Sequence, residues 1–342
     1  MPKSSNAPSR TNGKATGVRI VALGGGTGLS ALLRGLKEHV SRRKSDARPI
    51  SELTAVVTVT DDGGSSGRLR REYKMLPPGD IRNCMVALSK DEALLGRLFQ
   101  YRFGSGGALR GHSFGNLFLT ALTHVTGDFN EAVKLSGEVL AIRGRIYPSS
   151  LHNVQLEAVL ENGRRVRGET KISRSQARIR RVSITPRSAR PLAETLYAIR
   201  NADVITFGPG SLYTSVIPNV LVRGVVEAIR KSRARKVYIA NLMTQPGETS
   251  GMSAAEHIRA VYGHTGPRLF DTVVLNNGAI APRLLRKYAA QGAAPVAADV
   301  RELQALGVRC IFDNLVEVHG GYVRHNAPRL TRLLLEEFAL KQ

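Results

Sequence analysis

The feature of this sequence that most restricts its fold is a recurrence. Short apolar runs stop abruptly at clusters of Gly, Asp, Asn or Ser, and each is followed by a helix-forming stretch. The runs are VRIVAL at 18–23, TAVVTVT at 54–60, DVITF at 203–207, KVYIA at 236–240 and DTVVL at 271–275. Apolar strands alternating with helices call for a parallel sheet covered by helices on both faces. In such a sheet the carboxyl ends of the strands lie along one edge, which is where open α/β folds bind their ligands. The polar clusters that end these runs should therefore converge. The expected fold is α/β: a Rossmann-like, doubly wound, mostly parallel sheet. A strand at 308–312, a hairpin near 316–323 and an amphipathic helix from Leu330 to about Ala339 close the chain.

One section breaks the alternation. Val154, Leu156, Ala158 and Leu160 alternate with polar residues, and Asn162-Gly163 is a strong hairpin signal. Val166, Gly168 and Thr170 resume the pattern, and Ile179, Val182 and Ile184 extend it. This reads as a small antiparallel β-rich insertion at about 152–186 within a single domain spanning 18–342. Residues 161–200 carry 11 Lys/Arg against 3 Asp/Glu, within a chain of net charge +23. Neither interleaved aromatics nor a known binding motif accompanies that patch, so a solvated face is expected there and nucleic acid is not an expected partner. Residues 1–17 are small, polar and basic without an apolar h-region, as in a disordered tail and unlike a secretory signal. No apolar run approaches the roughly 18 residues of a membrane span. Cys84 and Cys310 stand far apart in apolar patterns and read as two buried thiols in a reducing cytoplasm.

The strand ends carry the chemistry. After the first run come Gly24, Gly25, Gly26, Thr27 and Gly28, and GTGLSA from Gly26 satisfies G-x-G-x-x-A, a loop whose backbone can approach a phosphate at a helix N-terminus. The third run ends in a second glycine loop with Gly208, Gly210 and Ser211, and a helix restarts at Pro218-Asn219. The second run ends in Asp61 and Asp62. That pair could hold Mg²⁺ together with a bound pyrophosphate, or could hydrogen-bond a ribose or sugar hydroxyl. Gly63 to Gly67 follow with N–H groups and hydroxyls. Asp80 is a good N-cap, with Arg82 and Asn83 in the turn after it. A cation there opposes the helix dipole, so Arg82 is either solvated or faces an anion that shares that helix end. His112, Ser113 and Asn116 gather at another helix start, as a cap with a surface histidine or as ligand contacts. Asn241, Thr244, Gln245 and Asn276 terminate the next two strands. No CxxC pair, HExxH or Walker A loop is present.

Taken in order, VALGGGTGLSALLRGLK, TVTDDGGSSGRLR, LPPGDIRNC, GHSFGN, FGPGSLYTSVIPN and NLMTQPGET resemble the bacterial gluconeogenesis factor family within the CofD-like superfamily, from about Val18 to the last helix. The resemblance implies a cytoplasmic regulatory protein that binds UDP-N-acetylglucosamine. Such a protein supports growth on gluconeogenic carbon sources through cell-wall precursor supply and cell shape, with protein partners in cell-wall metabolism. A homo-oligomer is the expected assembly. On this reading Gly24 to Gly28 and Gly208 to Ser211 cradle the diphosphate, and Asn241 and Asn276, with Thr244 and Gln245 nearby, meet base, ribose or sugar. Asp61, Asp62, Asp80, Arg82 and Asn83 form the opposite wall, joined by His112, Asn116 and Asn219, and Arg324 in VRHN resembles an arginine that the family uses near its ligand. The alternative is a transferase like the related 2-phospho-L-lactate transferases, with Asp61 and Asp62 as the candidate catalytic residues. GGSSGRLR and LPPGDIRNC are features of the gluconeogenesis-factor branch and place transfer chemistry in doubt.

Overall fold

The computed structural model describes residues 17–41, 49–90, 94–104, 106–175 and 177–338. The expected basic tail, apart from Gly17, lies outside the described residues, as does the expected end of the last helix at Ala339. Twelve strands are described: β1 Val18–Gly24, β2 Ile50–Val57, β3 Arg145–Pro148, β4 Gln155–Leu160, β5 Arg165–Arg167, β6 Ile179–Thr185, β7 Val204–Phe207, β8 Arg235–Ile239, β9 Thr272–Asn276, β10 Arg309–Asp313, β11 Val316–His319 and β12 Tyr322–His325.

Seven of them form one sheet in the order β10-β9-β8-β7-β1-β2-β3, and every pairing in it is parallel. The doubly wound α/β architecture is thus as the alternation requires. Strand order runs outward in both directions from β1, so the chain reverses its winding between β1 and β7. At such a switch point the connections leave to opposite faces and open a crevice beyond the strand carboxyl ends. Leu23 is paired with Phe207, which brings the first two glycine loops to the two sides of that crevice.

Apolar burial fixes the frame. β1 is almost wholly buried, and helix Gly26–Leu36 turns Leu29, Leu32, Leu33 and Leu36 inward. Gly35 lets the closing helix Ala327–Phe338 approach, since a Cβ there would lie 2.8 Å from the Ala327 carbonyl oxygen. β4, β5 and β6 form the separate antiparallel sheet, and β11 and β12 form a hairpin.

Local differences have physical causes. The pattern at Val166, Gly168 and Thr170 predicts a continuing strand, yet helix Glu169–Ser173 begins there. Gly168 has φ 96°, which turns the chain, and Asp62 accepts hydrogen bonds from both Thr170 N (2.9 Å) and Thr170 Oγ1 (2.7 Å). β3 is a four-residue edge strand ending at Pro148, too short for a periodic signal. Cys84 is buried and Cys310 only half-buried. No single helix among the described residues is long and apolar enough to cross a membrane.

Candidate functional site

A cleft of about 440 Å³ opens at the β1/β7 switch point. One wall is the start of helix Gly26–Leu36, with Gly25, Gly26, Thr27 and Gly28. No side chain at its N-cap position closes this helix, so the first-turn N–H groups beyond Gly26 and the positive dipole end are available to an anion. Gly26 adopts φ 62°, a conformation that costs glycine little. Gly28 is needed for proximity instead, because a Cβ there would lie 2.7 Å from the Pro209 carbonyl carbon. The two glycine loops are therefore in backbone contact.

Gly210 and Ser211 form the facing wall. Asn241 holds that loop with a reciprocal clamp: Gly210 N donates to Asn241 Oδ1 (3.2 Å), and Asn241 Nδ2 donates to the Gly210 carbonyl (2.9 Å). Gln245 Nε2 donates to Ser211 Oγ at 2.9 Å, and Gln245 Oε1 is buried without a partner. Thr244 ties its segment to Ala294 through Ala294 N to Thr244 Oγ1 (2.9 Å). Arg324 lines the mouth, as do Tyr288, Gln291, Tyr322 and His325, four residues that sequence reasoning missed. Lys287 Nζ lies 3.9 Å from the Tyr322 ring centroid, and Tyr288 Oη accepts from Val323 N at 2.9 Å, which fixes the hairpin against the cleft. Only the neighbouring VRHN segment offered a sequence signal for this rim. Burial holds His325 near a pKa of about 4, so the neutral ring places its Nε2 3.1 Å from the Ala240 carbonyl.

The other candidate residues stand elsewhere. Gly24 ends β1, and its carbonyl accepts from Asn219 Nδ2 at 3.0 Å. Gly208 carries the turn at the end of β7 with φ 78°. Asn276 closes its own turn onto Gly278 and accepts from Leu315 N at 2.9 Å. Asp80 lies beneath the first loop: it accepts from the Gly26 N–H, and burial with Asp61 nearby raises its carboxyl to about 7. A Cβ on Gly25 would lie 2.6 Å from Asp80 Oδ2. Asp80 thus supports the loop from behind.

Asp61 and Asp62 diverge. Asp61 Oδ1 accepts from Gly63 N at 2.8 Å, whereas Asp62 is turned to Thr170. Glu169 is nearby, and burial and the neighbouring carboxylates push it well above the usual carboxylate range. Among the described residues no group of three or more His, Cys, Asp or Glu is arranged to hold a metal ion, and Asp61 and Asp62 accept hydrogen bonds from different partners. His112 and Asn116 meet instead at Ser65: Ser65 Oγ is 3.0 Å from His112 Nδ1, and Asn116 Nδ2 donates to Ser65 Oγ at 3.0 Å. Arg82 Nη2 donates to Asn83 Oδ1 at 2.6 Å.

Comparison with known proteins agrees with this geometry. Residues 20–316 match the family model described as 2-phospho-L-lactate transferase CofD. A gluconeogenesis factor of Halalkalibacterium halodurans is 48% identical over 317 residues, 93% of this chain and 95% of its own. The gluconeogenesis factor of Bacillus subtilis is 48% identical over 318 residues, 93% of this chain and 97% of its own. A crystal structure of a Bacillus halodurans protein superposes with a TM-score of 0.88 at 47% identity, covering 93% of this chain and 99% of that one.

Proposed function

Since the chain belongs to the gluconeogenesis factor family, with a CofD-like domain across most of its length, we propose that it is a nucleotide-sugar-binding regulatory protein whose ligand is UDP-N-acetylglucosamine. The observation that carries this reading is the pair of glycine loops in backbone contact at the β1/β7 switch point. Two sets of backbone N–H groups facing one cleft suit a diphosphate, which presents acceptors on both phosphorus atoms. The tyrosines at the mouth offer flat surfaces for a base or sugar ring, and Arg324 adds a cation.

Binding without turnover suits the same lining. Ser211 Oγ is occupied by Gln245, and His325 is neutral and turned onto Ala240, so neither forms a nucleophile and base pair of the kind that transfer to a side chain needs. On this reading occupancy of the cleft reports precursor supply and acts on growth with gluconeogenic carbon sources and on cell shape. A thermal-shift titration with UDP-N-acetylglucosamine tests it: a melting temperature that climbs with ligand concentration by mass action is expected, and no change at saturating ligand refutes it. Incubation with nucleotide-linked donors followed by mass spectrometry tests the transferase alternative, which released nucleotide would support.

A further inference from the structure

Arg82 occupies the first turn of helix Gly79–Leu88 and is only 8% exposed, so the solvated option for this cation is closed. Its side chain runs over the start of another helix, Phe114–Thr126, where a Cβ on Gly115 would lie 2.9 Å from Arg82 Cδ. Its Nε is buried and unpartnered among the described residues. A buried guanidinium donor without an acceptor is destabilising, and a partner from outside the chain would satisfy it.

The surroundings tell which kind. Helix Gly64–Tyr73 has no side-chain cap at its N-cap position, and its start lies against Gly79, where an added Cβ would clash with Ser66 Oγ and lie 3.0 Å from Asp61 Oδ2. The ends of three helices of ten or more residues thus meet around Arg82. Asn116, 2% exposed, donates to Ser65 Oγ, and with the Ser65 hydroxyl proton given to His112 Nδ1 the ring presents its Nε2–H to a ligand. Asn116 Oδ1 is buried and unpartnered. Arg102 and Arg68 are close enough to depress the basicity of Arg82 and of His112 respectively. Three carboxylates are near: Asp61, which accepts from Gly63 N, Asp80, which accepts from Gly26 N, and Glu72, whose charge acts on His112.

We infer that Arg82, His112, Asn116 and the uncapped start of helix Gly64–Tyr73 form a second anion site, distinct from the cleft, that takes the head group of a phosphate monoester. The guanidinium, the ring N–H and the helix amides donate to phosphate oxygens, while Asn116 Oδ1 accepts the proton of the monoanionic phosphate or a neighbouring hydroxyl. None of these residues lines the glycine-loop cleft, so the site stands independently of the ligand bound there.

Inorganic phosphate is the probe. Melting temperature is followed against phosphate at matched ionic strength, with and without saturating UDP-N-acetylglucosamine, for the full chain and for Arg82→Gln, Asn116→Ala and Gln245→Ala. The expected result is a phosphate-dependent rise that persists with the nucleotide sugar present and in Gln245→Ala, and that is lost in Arg82→Gln and reduced in Asn116→Ala. Should Arg82→Gln fail to fold, Asn116→Ala decides. The inference is overturned if the full chain shows no rise, if the rise survives unchanged in Asn116→Ala, or if UDP-N-acetylglucosamine or Gln245→Ala abolishes it. The nucleotide sugar alone raising the melting temperature leaves the cleft assignment intact in each of those cases.

Discussion

At the scale of single residues, Gly28 and Asp80 hold the first glycine loop from two sides. A Cβ at position 28 meets backbone on the opposing loop, and backbone has no rotamer with which to yield. Gly28→Ala should therefore cost about 1–3 kcal/mol of stability, as overpacking typically does, and weaken nucleotide-sugar binding at least tenfold, measured by chemical denaturation and calorimetric titration. Asp80 makes a different prediction. Its folded-state pKa of about 7 lies above the ordinary value of 3.8. Between those values the native state holds a proton that the unfolded chain has released, so stability is greatest at low pH and falls as pH rises through that window, levelling above it. Asp80→Asn removes this contribution while keeping an acceptor for Gly26 N. Plots of unfolding free energy from pH 4 to pH 7 should be shallower in the variant by up to about 1.4 kcal/mol per pH unit. Equal slopes would show that Asp80 titrates normally.

At the scale of elements, the Asp62 carboxylate is one of the latches that tie the insertion to the main domain, beside Thr60 Oγ1 to Glu169 and Val182 N to His264 Nε2. Asp62 receives both the backbone and the hydroxyl donors of Thr170, at the start of helix Glu169–Ser173. Asp62→Ala should cost about 1–3 kcal/mol, as the loss of hydrogen bonds to a charged group and of a helix cap does, yet change cleft affinity less than twofold because Asp62 does not line it. A large loss of affinity with unchanged denaturation would place Asp62 against the ligand instead.

The same latch shows where the sequence stopped being legible. Strand ends at Gly24, Phe207, Ile239 and Asn276 follow from apolar runs and glycine punctuation, which are local signals. Even the oddity of Arg82 was readable, since a cation in a first helical turn is electrostatically misplaced. What the Asp61-Asp62 pair does was not readable, because two adjacent acids announce charge but not direction. One turns to Gly63 and the other to Thr170, which lies 108 residues on. Tyr288 and Tyr322 were missed for a related reason: their place on the cleft depends on how a helix and a hairpin pack, which no local period encodes.

At the scale of the whole molecule, the reversal of winding between β1 and β7 is what makes a cleft. The sheet grows in both directions from β1, so the connections after β1 and β7 lead away in opposite directions while their strands stay paired and their glycine loops touch. The positive helix end and the clamped Gly210 loop then face each other across a space of about 440 Å³. Charge supports this arrangement without specifying it: at +23 the chain draws anions in general, and under the proposed function the choice of a diphosphate among them falls to backbone geometry. Much of the basic patch at 161–200 is exposed side chain, with Arg167 paired to Glu157 at 2.8 Å, as a solvated face would be.

The central claim is that the two glycine loops jointly hold a diphosphate, and a crystal structure of the protein with UDP-N-acetylglucosamine tests it most directly. Both phosphates are expected within hydrogen-bonding distance of backbone N–H groups from Thr27–Gly28 and from Ser211, with the base or sugar against Tyr288 or Tyr322. Diphosphate density beside Arg82 and His112, or anywhere away from the β1/β7 crevice, would contradict it.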